Sequence, residues 1–312
     1  MMIAAVDLGS NSFRCEIAKT SLGKLVTCRY LKETVRLASG LDENGNLRED
    51  AVTKALESLA KFRSMLGNLP ADCVAAVGTQ AFREAGNADE VLRRCEEALG
   101  HPIRLLSGIE EARLVYKGCS HALPPSDETR LVVDIGGAST ELILGQGHEA
   151  LDMDSLRMGC VSASMAFFSD GVITPERFDL AVERSSEVVR PVEARFARRF
   201  DAAYGSAGTF GAIAEVTGAF NWEPDMAVTR ADLMRIRAGL IEMGSVENIR
   251  FPCLKDDRRE VFAGGLATLI AAYDVLGIES MRPAVGALRL GLLYELLEKH
   301  LGHTDVEART TS

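Results

Sequence analysis

Apolar and polar residues alternate with period two in two runs at the start of the chain, "MIAAVDL" and "SFRCEIAKT". A Gly/Ser/Asn turn separates them, so they predict a β-hairpin or meander, and a third run, "KLVTCRYLKETVRLA", begins at Lys24. The period then changes to 3.6. Val52, Ala55, Leu56, Leu59, Ala60 and Phe62 form one stripe of a helix between Arg48 and Leu66. "CVAAVGT" reads as a short buried strand, "NADEVLRRCEEALG" as a helix closed by Gly100, and "IRLLSG" as another strand. The first 120 or so residues therefore run strands first, then alternate β and α.

"LPPSDETR", Leu123 to Arg130, is polar and carries Pro124-Pro125, which makes it the best linker candidate. After it the pattern restarts: "LVVDI", "TELILGQ" and "ALDMDSLRMG" are strands, and helices follow. "TPERFDLAVERSSEVVRPVEARFARRF" opens with Thr174 as N-cap and Pro175 behind it, and Pro191 is expected to kink or split it. "AAYGSAGTFGAIAEVTGAF" reads strand, glycine turn, helix. "RREVFAGGLATLIAAYDVLG" is a long buried helix, "SMRPAVG" a short strand or loop, and "ALRLGLLYELLEKHLG" a last amphipathic helix.

The restart is also a repeat. Asp7-x-Gly9-x-x-Ser12 recurs as Asp134-x-Gly136-x-x-Ser139, each copy between two β-runs. The motif alone is weak and its context carries the weight. Two similar α/β lobes follow, 1–123 and 124–312, each beginning with a hairpin whose turn faces the gap between them.

Composition narrows the class. At 312 residues with 47% hydrophobic and 26% charged, the chain suits a soluble two-domain protein. No apolar run reaches bilayer-spanning length, and "MMIAAVDLGS" lacks the basic start of a signal peptide, so a cytoplasmic protein without membrane contact is expected. Seven scattered cysteines suit reduced, mostly buried thiols. Five dispersed histidines, with His300 and His303 expected in a mobile tail, make a His/Cys metal centre unexpected. The net charge of −10 argues against nucleic acid as a partner. An anionic substrate would need a local cluster of arginines, lysines and backbone amides.

The two repeated turns could supply that. Converging amides in a tight glycine turn make an anion-binding concavity, and Ser10, Ser12, Ser139, Thr140 and the Asn11 amide add donors. Plain hairpin turns are the bland alternative, yet a hairpin does not need an aspartate at its strand end twice. Asp7, Asp134 and Glu141 would be costly to bury alone, and a divalent cation such as Mg²⁺ is their natural partner. "GSAGTFGAIAEV" is a third phosphate-type turn or merely a tight strand–helix connection. No P-loop pattern occurs. In "SGIEEARLVYKG", Ser107 and Glu110 have capping-box spacing. Glu111 stands at the border of the apolar face, where a carboxylate can act as general base; electrostatic favour at the helix start is the alternative. Arg14, Arg36, Arg83, Arg258 and Arg289 lie near turns or helix starts, whereas Arg190, Arg195, Arg198 and Arg199 read as a solvated helix face.

Together "VDLGSNSFR", "VRLASGLD", "VGTQAFREAGNADEVL", "SGIEEARLVYKG", "VVDIGGASTEL", "RMGCVSAS" and "GSAGTFGAIAEV" resemble the exopolyphosphatase/guanosine pentaphosphate phosphohydrolase (Ppx/GppA) family. That family belongs to the actin, heat-shock chaperone and sugar-kinase ATPase superfold. The resemblance covers nearly the whole chain. It implies two RNase H-like lobes with the active site in the cleft between them, and a last helix, about 287–302, packing back toward the first lobe. By position it implies Glu111 as catalytic base, and Asp134 and Glu141 as the acidic residues linked to Mg²⁺; Asp7 joins that metal set on the burial argument above. Asn11, Ser12, Arg83, Gly136, Gly137, Ala138, Ser139, Thr140, Gly208 and Thr209 would cradle phosphate. Arg14 and Arg258 would hold substrate.

Two departures stand out. Ala138 replaces the family's third glycine, and Ala284-Val285 replaces its Ser-Asp. The chain ends at Ser312, like the short members that lack an HD-like C-terminal domain, so weaker processivity on shorter chains is expected. The leading expectation is a Mg²⁺-dependent exopolyphosphatase, a hydrolase of phosphorus-containing acid anhydrides. Alternatives are a pppGpp 5′-phosphohydrolase, a kinase-like phosphotransferase, and a non-catalytic regulator that binds polyphosphate or (p)ppGpp. A homodimer is compatible with the family and the apolar last helices.

Overall fold

The first alternating run is β1 (Met2–Leu8), buried from Ile3 onward. It turns through Gly9–Asn11 into β2 (Ser12–Ser21), antiparallel, with Asp7 opposite Arg14. β2 pairs antiparallel with β3 (Lys24–Thr34). α1 (Glu49–Leu66) buries the expected stripe through Val52, Ala55, Leu59 and Phe62. β4 (Val74–Gly78) then lies parallel to β1, and β5 (Ile103–Leu105) parallel to β4. Between them run α2 (Gln80–Glu84), a short helix without an apolar signature of its own, and α3 (Ala88–Leu99), closed by Gly100 in the left-handed region at φ 77°. The sheet order is β3-β2-β1-β4-β5.

This computed structural model describes residues 1–21, 24–220 and 227–310, and the side chains of all of these except 219–220 and 302–310. The chain divides into two compact units, Met1–Ser107 with Leu288–Ser312, and Gly108–Ala287.

The second unit repeats the plan. α4 (Gly108–Ala122) precedes a meander of β6 (Thr129–Ile135), β7 (Thr140–Gln146) and β8 (Glu149–Leu156). α5 (Cys160–Phe168), α6 (Pro175–Val189) and α7 (Glu193–Phe196) follow. Thr174 caps α6 by accepting the Arg177 amide, and Arg190–Val192, with Pro191, form a 3₁₀ turn that splits α6 from α7 as expected. β9 (Ala202–Ser206) lies parallel to β6 and leads into α8 (Ala207–Phe220). β10 (Val228–Thr229), α9 (Arg230–Met243), α10 (Arg259–Leu276) and β11 (Ser280–Pro283) complete the unit. Its sheet order is β10-β11-β9-β6-β7-β8. An antiparallel meander continued by parallel strands thus occurs twice, and the chain has the two-lobed α/β architecture of the actin-like superfold. The core of this unit surrounds α10, which is buried without a break from Val261 to Tyr273, as a helix apolar on all sides must be.

The boundary differs from the expected division at 123/124. α4 packs on β7 and β8, so it belongs to the second unit and the division falls at 107/108. Pro124-Pro125 sits in the connection from α4 to β6, where the Pro124 carbonyl accepts from buried Arg130 at 2.5 Å. Composition marked a loop inside a unit, not a linker. Arg195 also departs from expectation: its guanidinium is held by Asp152 and Asp154 of β8, and is not part of a free helix face.

The expected last helix is α11 (Ala287–Thr310), and it continues through the residues expected to form a mobile tail. From Leu288 it groups with the first unit, where Arg289 pairs with Glu16 at 3.2 Å and Glu295 with Arg104 at 2.8 Å. The side chain of His303 lies outside the described residues.

Candidate active site

The second unit carries a polar row across four adjacent strands. Cross-strand register sets Asp134 on β6 opposite Glu141 on β7, Glu141 opposite Ser155 on β8, and Asp134 beside Ser206 on β9. The two serines donate outward-in: Ser206 Oγ to Asp134 Oδ2 at 2.5 Å, and Ser155 Oγ to Glu141 Oε1 at 2.8 Å. Like charges directly opposite on a ladder destabilise it, and here both are buried. Glu111, on the first turn of α4, adds a third buried carboxylate, while Glu110 beside it is exposed. Burial first, then the charges of Glu111 and Asp134, push the Glu141 carboxyl well above its ordinary range. Hydroxyls of Ser155 and Ser139 offset this in part. Such a donor set fits a hard divalent cation, which takes carboxylate oxygens.

The first unit differs at the matching register. Asp7 faces Arg14 instead of a carboxylate, with Arg14 Nη1 3.5 Å from Asp7 Oδ2. Burial raises the Asp7 carboxyl, while the cations Arg14 and Arg289 oppose the rise. The charge of Asp7 is therefore answered within its own unit.

Both turns are tied down through their carbonyls. In the second unit Gly136 donates to Ser139 O at 2.9 Å, and the first amides of α5 bind the turn: Cys160 to Gly136 O at 2.9 Å and Val161 to Gly137 O at 2.8 Å. Gly159 must be glycine for this contact, since a Cβ there would lie 2.5 Å from the Gly137 carbonyl carbon. In the first unit Arg36 donates to Asn11 O at 2.8 Å and Ala38 to Ser10 O at 3.0 Å. "VRLASGLD" and "RMGCVSAS" are thus the buttresses of the two turns. With the carbonyls engaged on one side, the amides of Gly137 and Ala138 have no hydrogen-bond acceptor among the described residues. Ala138 is buried and is not among the residues with positive φ, so its methyl group is carried without left-handed strain.

The Thr140 hydroxyl contributes less than expected: Oγ1 donates to Met158 O at 2.6 Å and braces the turn, while Ser139 is buried beside it. Asn11 and Ser12 are buried, with Asn11 Nδ2 3.5 Å from Ser12 Oγ; Asn11 Oδ1 has no partner among the described residues. Arg83, on α2, donates to Gln80 Oε1 and to Leu106 O, both at 2.8 Å.

At the start of α8, Ala207 adopts φ 60°, a left-handed conformation that costs a non-glycine residue strain. The buried Arg258 guanidinium lies directly over Gly208; a methyl there would fall 1.7 Å from its Nη2. Thr209 is buried beside the Cys160 thiol. A helix N-terminus, a glycine turn and a guanidinium converge there, which is an arrangement for an anion. Ser155 and Ser206 were not anticipated. Ser206 adjoins the glycine turn, but a lone serine in β8 leaves no pattern to read.

A duplicated actin-like fold whose strand-end turns present amides beside buried carboxylates defines the class. Within it, the sequence profile of the Ppx/GppA phosphatase family matches residues 17–300. The chain belongs to that family. It is 38% identical over 310 residues to a guanosine-5′-triphosphate,3′-diphosphate pyrophosphatase of Photobacterium profundum and 39% identical to one of Vibrio vulnificus. Each alignment takes in 99% of this chain and 62% of the relative, so the chain spans about three-fifths of the length of these curated relatives. Among solved structures it is similar to an exopolyphosphatase from Cytophaga hutchinsonii, with TM-score 0.86, 24% identity, and 96% and 98% of the two chains covered. It is also similar to the Aquifex aeolicus member of the Ppx/GppA family, with TM-score 0.77, 26% identity, and 96% and 98% covered. No helix among the described residues is long and apolar enough to cross a membrane.

Proposed function

We propose that the chain hydrolyses the terminal phosphoanhydride of inorganic polyphosphate and releases orthophosphate. The observation that carries this reading is the buried cluster of Glu111, Asp134 and Glu141 beside a turn with two amides that have no acceptor among the described residues. Glu111 accepts a proton from water as its oxygen forms a bond to the terminal phosphorus; the bridging P–O bond breaks, and the shortened chain leaves with the electron pair. The amides of Gly137 and Ala138 hold phosphoryl oxygens, and Arg258 with the start of α8 holds a further phosphate. In the first unit Asn11, Ser12 and Arg83 are assigned to phosphate and Arg14 to substrate. Asp134 and Glu141 would hold the divalent cation, which when bound would neutralise charge on the phosphoryl oxygens; Asp7 is the weaker member of that set because Arg14 already faces it. Catalysis of this kind is positioning and charge stabilisation.

The second reading is a pppGpp 5′-phosphohydrolase, favoured by the 38–39% identity to guanosine-5′-triphosphate,3′-diphosphate pyrophosphatases. It shares the chemistry and differs in what lies behind the terminal phosphate. Phosphate release from short polyphosphate, long polyphosphate and pppGpp, each with and without Mg²⁺, separates the two. Release from pppGpp alone would replace the first reading with the second. Tight binding of either substrate without release would refute both and indicate a regulator.

A further inference from the structure

The first unit brings together three metal-ligand side chains that lie far apart in sequence. Asp72 and Cys73 end the 3₁₀ turn before β4, and His300 lies on α11, 227 positions after Cys73. Cys73 Sγ is 3.8 Å from His300 Nε2, and the Asp72 carboxylate lies beside the thiol. The carboxylate, thiol and imidazole ligand atoms all lie within 4.8 Å of one another. His300 Nε2 also stands 3.1 Å from the Asp72 carbonyl oxygen, so the ring is already turned inward.

We propose that Asp72, Cys73 and His300 form a binding site for a zinc-class divalent cation that fastens α11 to the first unit. The geometry supports this. Metal–sulfur and metal–nitrogen bonds of ~2.3 and ~2.05 Å at a tetrahedral angle put the two ligand atoms ~3.6 Å apart, close to the 3.8 Å observed. The donor types support it too. Thiolate, imidazole and carboxylate suit zinc or cobalt and do not suit Mg²⁺, which separates this site from the all-carboxylate cluster of the second unit. Three protein ligands leave a fourth position for water. Asp72 is exposed while Cys73 and His300 are half-buried, so a cation can enter from solvent. On binding, the Cys73 thiol loses its proton to solvent, and Nε2 exchanges its contact with the Asp72 carbonyl for the metal, with the remaining ring proton on Nδ1.

The test is a Co²⁺ titration of the full-length chain under reducing conditions, with Mg²⁺ in excess to fill hard-ligand sites. A near-ultraviolet thiolate-to-cobalt charge-transfer band saturating near ~1 equivalent is expected, with displacement of Co²⁺ by Zn²⁺. Cys73→Ser should abolish the band, and His300→Ala should weaken binding by at least ~10-fold. Cys28→Ser and Cys253→Ser, at the two exposed thiols, should leave it intact. Zn²⁺ should also raise the thermal midpoint of the wild type and leave that of His300→Ala unchanged. The absence of a band, a band that survives Cys73→Ser, or Zn²⁺ stabilisation that survives His300→Ala would each overturn the site. Phosphate release plays no part in these readouts, so failure of the proposed activity leaves them decisive.

Discussion

Glu111, Asp134 and Glu141 make the sharpest demand in the molecule, because three carboxylates are buried in one unit and two face each other across a ladder. Evolution rarely retains such an arrangement for stability, since buried like charges oppose folding. Glu111→Gln should keep the fold and substrate binding while phosphate release falls by about 10²–10⁴-fold; near-normal turnover would remove Glu111 from the mechanism. Glu141→Gln gives the complementary result. The folded-state pKa of Glu141 lies above its ordinary 4.5, so its favourable contribution is complete below the unfolded value and is lost as pH rises through the folded one. The Gln variant, free of Mg²⁺, should therefore melt higher than wild type, by at least about 2 °C at alkaline pH. The gap should narrow as the solution is acidified, while phosphate release is lost throughout. A gap that widens toward acid would mean that Glu141 is stabilised as the carboxylate.

Among the elements, each hairpin turn depends on a segment that follows it, residues 36–38 in one unit and the start of α5 in the other. That division of labour explains what the sequence made readable. Asp-x-Gly-x-x-Ser is visible because the turn needs several small residues at fixed spacing. The buttress at "RMGCVSAS" carries only Gly159 as its signature, and the polar row ends on Ser155 and Ser206, single residues whose role depends on neighbouring strands. Thr140 looked like a phosphate donor because its chemistry permits it; only the Met158 carbonyl 2.6 Å away shows the hydroxyl engaged elsewhere. Gly159→Ala forces a Cβ to 2.5 Å from the Gly137 carbonyl carbon. It should cost about 1–3 kcal/mol by overpacking, and the displaced turn should raise KM for phosphate-chain substrates more than Ala138→Gly does. Equal stability and kinetics in Gly159→Ala would show that α5 does not hold the turn.

At the scale of the whole molecule, the duplication was legible from two motifs in matching context, whereas the allocation of helices to units was not. Pro124-Pro125 suggested a boundary because composition marks loops, but contacts decide units, and α4 packs on the sheet that follows it. α11 presents the same issue at the other end of the chain: it groups with strands more than 180 residues earlier, through Arg289–Glu16 and Arg104–Glu295. Leu288, Leu292, Leu293 and Leu296 are buried on it, and burial of a leucine side chain contributes about 1.5–3 kcal/mol. Removing residues 288–312 should therefore damage the first unit selectively. Hydrogen exchange should show lost protection in β1, β4 and β5 while α10, the buried centre of the second unit, stays protected. Uniform loss across both units would mean that they fold as one cooperative body, and unchanged protection in β1 would mean that α11 is dispensable to the sheet it accompanies.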